Sequence, residues 1–182
     1  MKIIGFAGSN SSQSINKQLV KYTLSQIELL KIESLETEWV DISDYPLPVF
    51  GVDLEEKEGF PGNIGKFIDK IQSADGIVVS LAEHNGSYSV AAKNLIDWCS
   101  RHTGKFFNDI PMLLMGTSPG GYGAKNVLDA AEKRFPKFGA QIISIYSFPT
   151  FNDNFPPEKG IVDEELKNLH KKCIQQLIAS NY

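Results

Sequence analysis

Cysteine is scarce in this 182-residue chain, with only Cys99 and Cys173 present. They form no CxxC motif, and both read as small apolar residues on helices, kept reduced inside a cell. Basic tracts are also missing. The formal net charge is −4, which argues against nucleic acid or an anionic membrane as a partner. No apolar run approaches the about 20 residues that a membrane span needs. The opening Met1-Lys2-Ile3-Ile4-Gly5-Phe6 is too short and too soon broken for a signal peptide, so a cytoplasmic location is expected. There is no internal repeat and no low-complexity tract. The GxxxxGK fingerprint of nucleotide triphosphatases and the GxGxxG of dinucleotide folds are both absent. No Ser-His-Asp or Cys-His set suggests itself, so no side-chain nucleophile is expected, nor any metal site.

What the chain does contain is a regular alternation. Apolar stretches at 2–7, 76–81, 111–115 and 141–146 read as strands, and 35–40 as a weaker, alternating one. Between them lie stretches of helical period at 14–31, 64–73, 88–101, 123–135 and 162–180. Val90, Leu95, Ile96 and Trp98 are the expected buried positions of the third of these. The apolar strands lack clean two-fold alternation, as expected when helices cover both faces of a parallel sheet. One domain over 1–182 follows, a three-layer α/β sandwich with a five-stranded parallel sheet. A Pro- and Gly-rich loop at 44–62 is long enough for a functional flap or an interface rather than a linker. Residues 148–160 read as extended.

In open α/β sheets, ligands bind beyond the carboxyl ends of the strands, where the strand order switches. Three strand ends carry unusual loops. Gly8-Ser9-Asn10-Ser11-Ser12-Gln13-Ser14-Ile15-Asn16 offers hydroxyls and backbone N–H groups at a helix N-terminus, and no charge, which suits a phosphate monoester. Ser14 also fits a simple N-cap. Ala82-Glu83-His84-Asn85-Gly86-Ser87-Tyr88 can turn sharply and read the edge of a flat heterocycle, with His84 near the ring or on the surface. Gly116-Thr117-Ser118-Pro119-Gly120-Gly121-Tyr122-Gly123 suggests backbone laid against a ligand with Tyr122 beside it, or a flexible loop. With strand order 2-1-3-4-5, the three loops converge on one crevice.

These loops resemble the NADPH-dependent FMN reductase family, which includes quinone, chromate and azo-dye reductases. Gly8, Ser9, Ser14 and Asn16 match its GSxRxxSxN. Glu83, Asn85, Gly86, Ser87, Lys93, Asn94, Ile96, Asp97 and Trp98 match PEYNGSxxxxxKNxIDW. Gly116, Ser118, Gly120 and Gly123 match GxSxGxxG. The resemblance implies a flavodoxin-like fold and a homodimer or homotetramer. It implies FMN held at its phosphate by Ser9, Ser11, Ser14, Ile15 and Asn16. Glu83, His84, Asn85 and Gly86 would border the isoalloxazine, and Ser118, Pro119, Gly120, Gly121, Tyr122 and Gly123 would line its other side. Three positions depart from the pattern. Ser11 stands for the family arginine, Ala82 for its proline and His84 for its tyrosine.

The implied activity is electron transfer from NADPH or NADH to a quinone, an azo compound, a metal oxyanion or free flavin. A hydride would pass through the flavin N5 in a ping-pong cycle, so no catalytic side chain is required. A flavodoxin-type electron carrier without its own NAD(P)H oxidation is the alternative, and a flavin-free module of the same fold a second one. Lys93, Asp97, Trp98 and Arg101 share a helix face that reads as a subunit interface or as ion pairs around a core aromatic. Tyr146, Phe148, Phe151 and Phe155 read as the same interface or as packing of the last crossover.

Overall fold

The computed structural model describes residues 1–181. Five parallel strands form the sheet: β1 (Lys2–Gly8), β2 (Glu36–Val40), β3 (Gly76–His84), β5 (Pro111–Thr117) and β6 (Gln141–Phe148). Their spatial order is β2-β1-β3-β5-β6, the expected 2-1-3-4-5. A sixth strand, β4 (Ser87–Tyr88), pairs antiparallel with the end of β3 and corrects the expected count of five. Its cause is local. Asn85 and Gly86 both take positive φ, 52° and 74°, which is what a two-residue hairpin turn demands. β3 therefore runs past the sheet and folds back on itself.

Alternate strand residues feed two cores. Ile4, Phe6, Ile77, Val79, Met112 and Leu114 face one side, under α3 (Gly62–Gln72), α4 (Val90–His102) and α5 (Lys125–Arg134). Ile3, Ala7, Val78, Leu113 and Met115 face the other, under α1 (Ile15–Glu28) and α7 (Glu164–Ala179). Both faces are dry, so both strand periods are apolar. The sheet is therefore the middle of three layers. Cys99 and Cys173 are buried and unpaired, one on each side.

Several local expectations need correcting. The 44–62 segment is not all loop, since it holds α2 (Val52–Glu58), a helix that buries none of its residues. The first helix stops at Glu28, which leaves Leu30 in the following turn and 41% exposed. α4 starts at Val90, capped by the Ser89 hydroxyl accepting from Ala92 N. This phase buries Ala92, Leu95, Trp98 and Cys99 and turns Val90 outward at 73% exposure. α5 begins at Lys125 rather than 123, because Gly123 and Ala124 both take positive φ. The 148–160 segment is not wholly extended, because α6 (Phe151–Asn154) makes one turn in it. Tyr146, Phe148 and Phe151 are buried in the core around α7, with Phe155 packed against them. That aromatic segment is crossover packing, not an exposed face.

Candidate active site

β1, β3 and β5 lie side by side, so the loops that follow them meet at one edge of the sheet. In the first loop, Ser14 caps α1 by accepting from Lys17 N. The Ser9 hydroxyl accepts from Ser11 N at 3.3 Å. Among the described residues, the N–H groups of Ile15 and Asn16 find no acceptor, and the first turn of α1 carries no acid. The amino end of a 14-residue helix is thus open to an anion. Lys17 is the nearest cation in sequence, but its Nζ is bound to both Asp41 oxygens at 2.6 and 2.8 Å. Burial works to raise the Asp41 carboxyl, yet the Lys17 and Ser43 hydrogen bonds outweigh it and hold the group below its ordinary value.

The Asn16 side chain points inward and is 2% exposed. Its Oδ1 accepts from Ser80 Oγ at 2.6 Å and from Thr117 N at 3.2 Å, while Nδ2 donates to Thr117 O at 3.4 Å. This carboxamide ties α1 to β3 and β5 directly beneath the loops. Its free backbone N–H is the part left for a ligand.

In the second loop, His84, Asn85 and Gly86 are exposed around the hairpin turn. The Glu83 carboxylate is engaged within the chain. It accepts from Val127 N and Asn126 Nδ2, both at 3.0 Å, at the start of α5. In the third loop, two of the four glycines have a reason internal to the protein. A Cβ on Gly116 would press on Ala124 and Leu128, and Gly123 has φ 62° with Ser147 Oγ against it. Gly120 and Gly121 face open space, so nothing in the chain requires them. Ser118 Oγ closes the loop, donating to Gly120 O at 3.0 Å and accepting from Gly123 N at 3.1 Å. Pro119 sits in that turn beside Ser118. Tyr122 is 55% exposed, with Lys125 Nζ 5.8 Å from its ring centre.

A cavity of about 440 Å³ opens beside Asn10 and His84. One wall is the segment from Ile42 to Val49 after β2, and the other is the start of α4 from Ser89 to Leu95. The Ser118–Gly123 loop does not line it. Sequence reasoning offered the 44–62 segment as a flap but named none of the wall residues on it or on α4, although the second motif held the signal. Asn94 Oδ1 accepts from Phe50 N at 2.8 Å, and Asn94 Nδ2 and Trp98 Nε1 both donate to Pro48 O, at 3.0 and 2.9 Å. Two motif residues thus fasten the flap to α4. Lys93 pairs with Asp97 and Arg101 with Glu55, while Trp98 is fully buried. Ion pairs around a core aromatic are what this face shows within one chain.

Residues 1–154 match the family model of NADPH-dependent FMN reductase. The chain belongs to that family. An NADPH:quinone oxidoreductase of Arabidopsis thaliana is 29% identical, over 98% of this chain and 91% of the relative. A quinone reductase of Escherichia coli is 30% identical, over 68% of this chain and 63% of the relative. Among solved structures, the flavoenzyme NAD(P)H:(acceptor) oxidoreductase FerB of Paracoccus denitrificans superimposes with a TM-score of 0.71 at 24% identity, covering 98% of this chain and 97% of that one. An FMN-dependent NADH-azoreductase of Bacillus anthracis in complex with FMN gives 0.67 at 14% identity, covering 100% and 98%. These likenesses establish the flavodoxin-like fold. Membership makes the protein an FMN-dependent reductase with NAD(P)H as donor. The residues present fit that cofactor, with open N–H groups at α1 for its phosphate and two glycines free of internal duty beside the strand ends. Among the described residues no helix is long and apolar enough to cross a membrane.

Proposed function

We propose that this family member reduces a flat, uncharged acceptor of the quinone class. The observation that carries this reading is the cavity beside His84. Its walls are mostly apolar, and no Lys or Arg lines it. A metal oxyanion would need a cation there, whereas a neutral ring needs apolar walls and a few polar edges. Two of the relatives are named for quinones, which supports the same class.

When bound, FMN supplies the ring that accepts and passes on electrons. The chain's own residues bind, orient and shield. The N–H groups of Ile15 and Asn16, with the hydroxyls of Ser9, Ser11 and Ser14, would hold the phosphate. The backbone of Glu83 to Gly86 would read one ring edge, and the loop from Ser118 to Gly123 would close the other side. Asn94 and Trp98 keep the flap in place as a cavity wall. A cavity of this size suits one flat substrate at a time, donor first and acceptor after the oxidised donor leaves, which is a ping-pong order.

The site is finished by a second copy of the chain. Val49 and Val90 stand on the cavity rim at 75% and 73% exposure, and covering them is the apolar gain of a homodimer or homotetramer. A reducing cytoplasmic setting fits the two free buried thiols. The test is steady-state kinetics with NADPH against p-benzoquinone and against chromate. Parallel double-reciprocal lines and kcat/KM at least about tenfold higher for the quinone are expected. Chromate preferred over the quinone would overturn the acceptor class, and intersecting lines the ping-pong order.

A further inference from the structure

We infer that Glu83 is a positioning residue that locks the ring-edge hairpin and the glycine-rich loop into one rigid unit, and this rests on the FMN site described above. The reason begins at α5. Its N-cap residue, Ala124, sits at φ 59° and has no side-chain acceptor, so the helix cannot cap itself. The N–H of Val127, in the first turn, is the group that a capping oxygen normally takes. Glu83 supplies that oxygen from a different strand. One carboxylate oxygen accepts from Val127 N and the other from Asn126 Nδ2, both at 3.0 Å. A negative charge at the amino end of a helix also meets the favourable end of its dipole.

The hairpin is fastened at its other strand as well. Tyr88 stands opposite Glu83 in the hairpin register. Its ring stacks on Phe135 at 6.2 Å and 15°, at the carboxyl end of α5. Among the described residues the buried Tyr88 hydroxyl has no hydrogen-bond partner, so the hairpin is held here through the ring alone. Glu83 thus holds the first turn of α5 and Tyr88 the last. The Ser118–Gly123 loop enters α5 directly, so its spacing from the hairpin is set by the Glu83 contact. On its far side the same loop is held by Thr150 N to Gly120 O and Phe151 N to Ser118 O. The carboxylate is therefore the tie between two loops that must grip opposite sides of one ring.

The test compares Glu83→Ala, Glu83→Gln and Asn126→Ala in the full chain, with and without FMN. Amide exchange at Val127 and FMN affinity by fluorescence quenching are the two readouts. Glu83→Ala is expected to speed Val127 exchange and raise the Kd for FMN, each by roughly tenfold. Glu83→Gln keeps one acceptor for Val127 N and should restore most of the affinity. Asn126→Ala removes the lesser arm and should shift Kd by only about two- to threefold. The visible band shape of the bound flavin should broaden in Glu83→Ala and recover in Glu83→Gln, which a loss of global stability alone would not produce. Unchanged Val127 exchange in Glu83→Ala overturns the tie even if the wild type binds FMN tightly. Faster exchange with an unchanged Kd and band shape overturns the positioning role. A wild type that does not retain FMN overturns the site itself, while the exchange result still judges the cap.

Discussion

Acid should weaken this fold through one buried histidine. His170 on α7 is 3% exposed, with Nε2 2.8 Å from Thr23 Oγ1 and its ring between those of Tyr22 and Tyr146. Burial lowers its pKa from the usual 6.5 to about 4. At pH 8 both the folded and the unfolded chain hold the ring neutral. As pH falls through 6.5, the unfolded chain takes up a proton that the folded chain refuses. Stability therefore drops from near neutral pH downward and levels off below about pH 4. The shift is worth about 2 kcal/mol at pH 5 and about 3 kcal/mol in full. In His170→Phe the titration is gone, and at pH 8 the variant forgoes the Thr23 contact, at about 1 kcal/mol. The two stability curves should then cross near pH 6, with the variant more stable below it. Urea unfolding of FMN-free wild type and variant at pH 8, 7, 6 and 5 reads this directly. His84 and His102 are exposed and common to both proteins, so the difference between the two curves isolates His170. A difference between the proteins that stays constant from pH 8 to pH 5 would refute the argument.

Two substitutions probe the first loop. Ser11 is exposed in a loop with no cation, so Ser11→Arg should tighten FMN or NADPH by about tenfold through a charge-assisted bond; equal Kd and KM values would mean that the position faces away from both. Asn16→Ala strips partners from Ser80 Oγ and Thr117 N in the buried stem, and should cost about 2 kcal/mol in urea unfolding. A loss below about 0.5 kcal/mol would show that water satisfies those groups instead.

The strands β1, β3 and β5 were legible because each is a run of apolar residues serving two cores, whereas the edge strand β2 reads Glu36-Thr37-Glu38-Trp39-Val40 and buries only its last residue. Ile3 and Ile4, or Val78 and Val79, point to opposite layers and both are buried. What escaped were elements without an apolar period. β4 has only two residues, and its one signal was Asn85-Gly86. α2 is seven residues long and buries none of them, so no hydrophobic stripe announces it. Val90 misled because it heads an apolar stretch, whereas the Ser89 cap fixes a phase that turns it to solvent. In each case local hydrogen bonding, not hydrophobic spacing, decided the outcome.

The site was legible in a different sense. The motifs all fall at one end of the sheet, and most of the side chains in them serve the scaffold. Ser14 caps α1, Asn16 joins α1 to β3 and β5, Glu83 caps α5, and Asn94 with Trp98 holds the flap. The groups left open toward a ligand are backbone N–H groups at Ile15 and Asn16 and glycines at 120 and 121, which side-chain identity cannot advertise. Two of the departures from the family pattern, Ser11 and His84, are exposed at the loops themselves. A substitution at a scaffold position breaks internal hydrogen bonds, whereas one at an open position alters only what the ligand meets. The resemblance therefore carries the architecture of the site more firmly than its selectivity. The selectivity of this chain should be sought at Ser11 and His84 and in the wall from Ile42 to Val49.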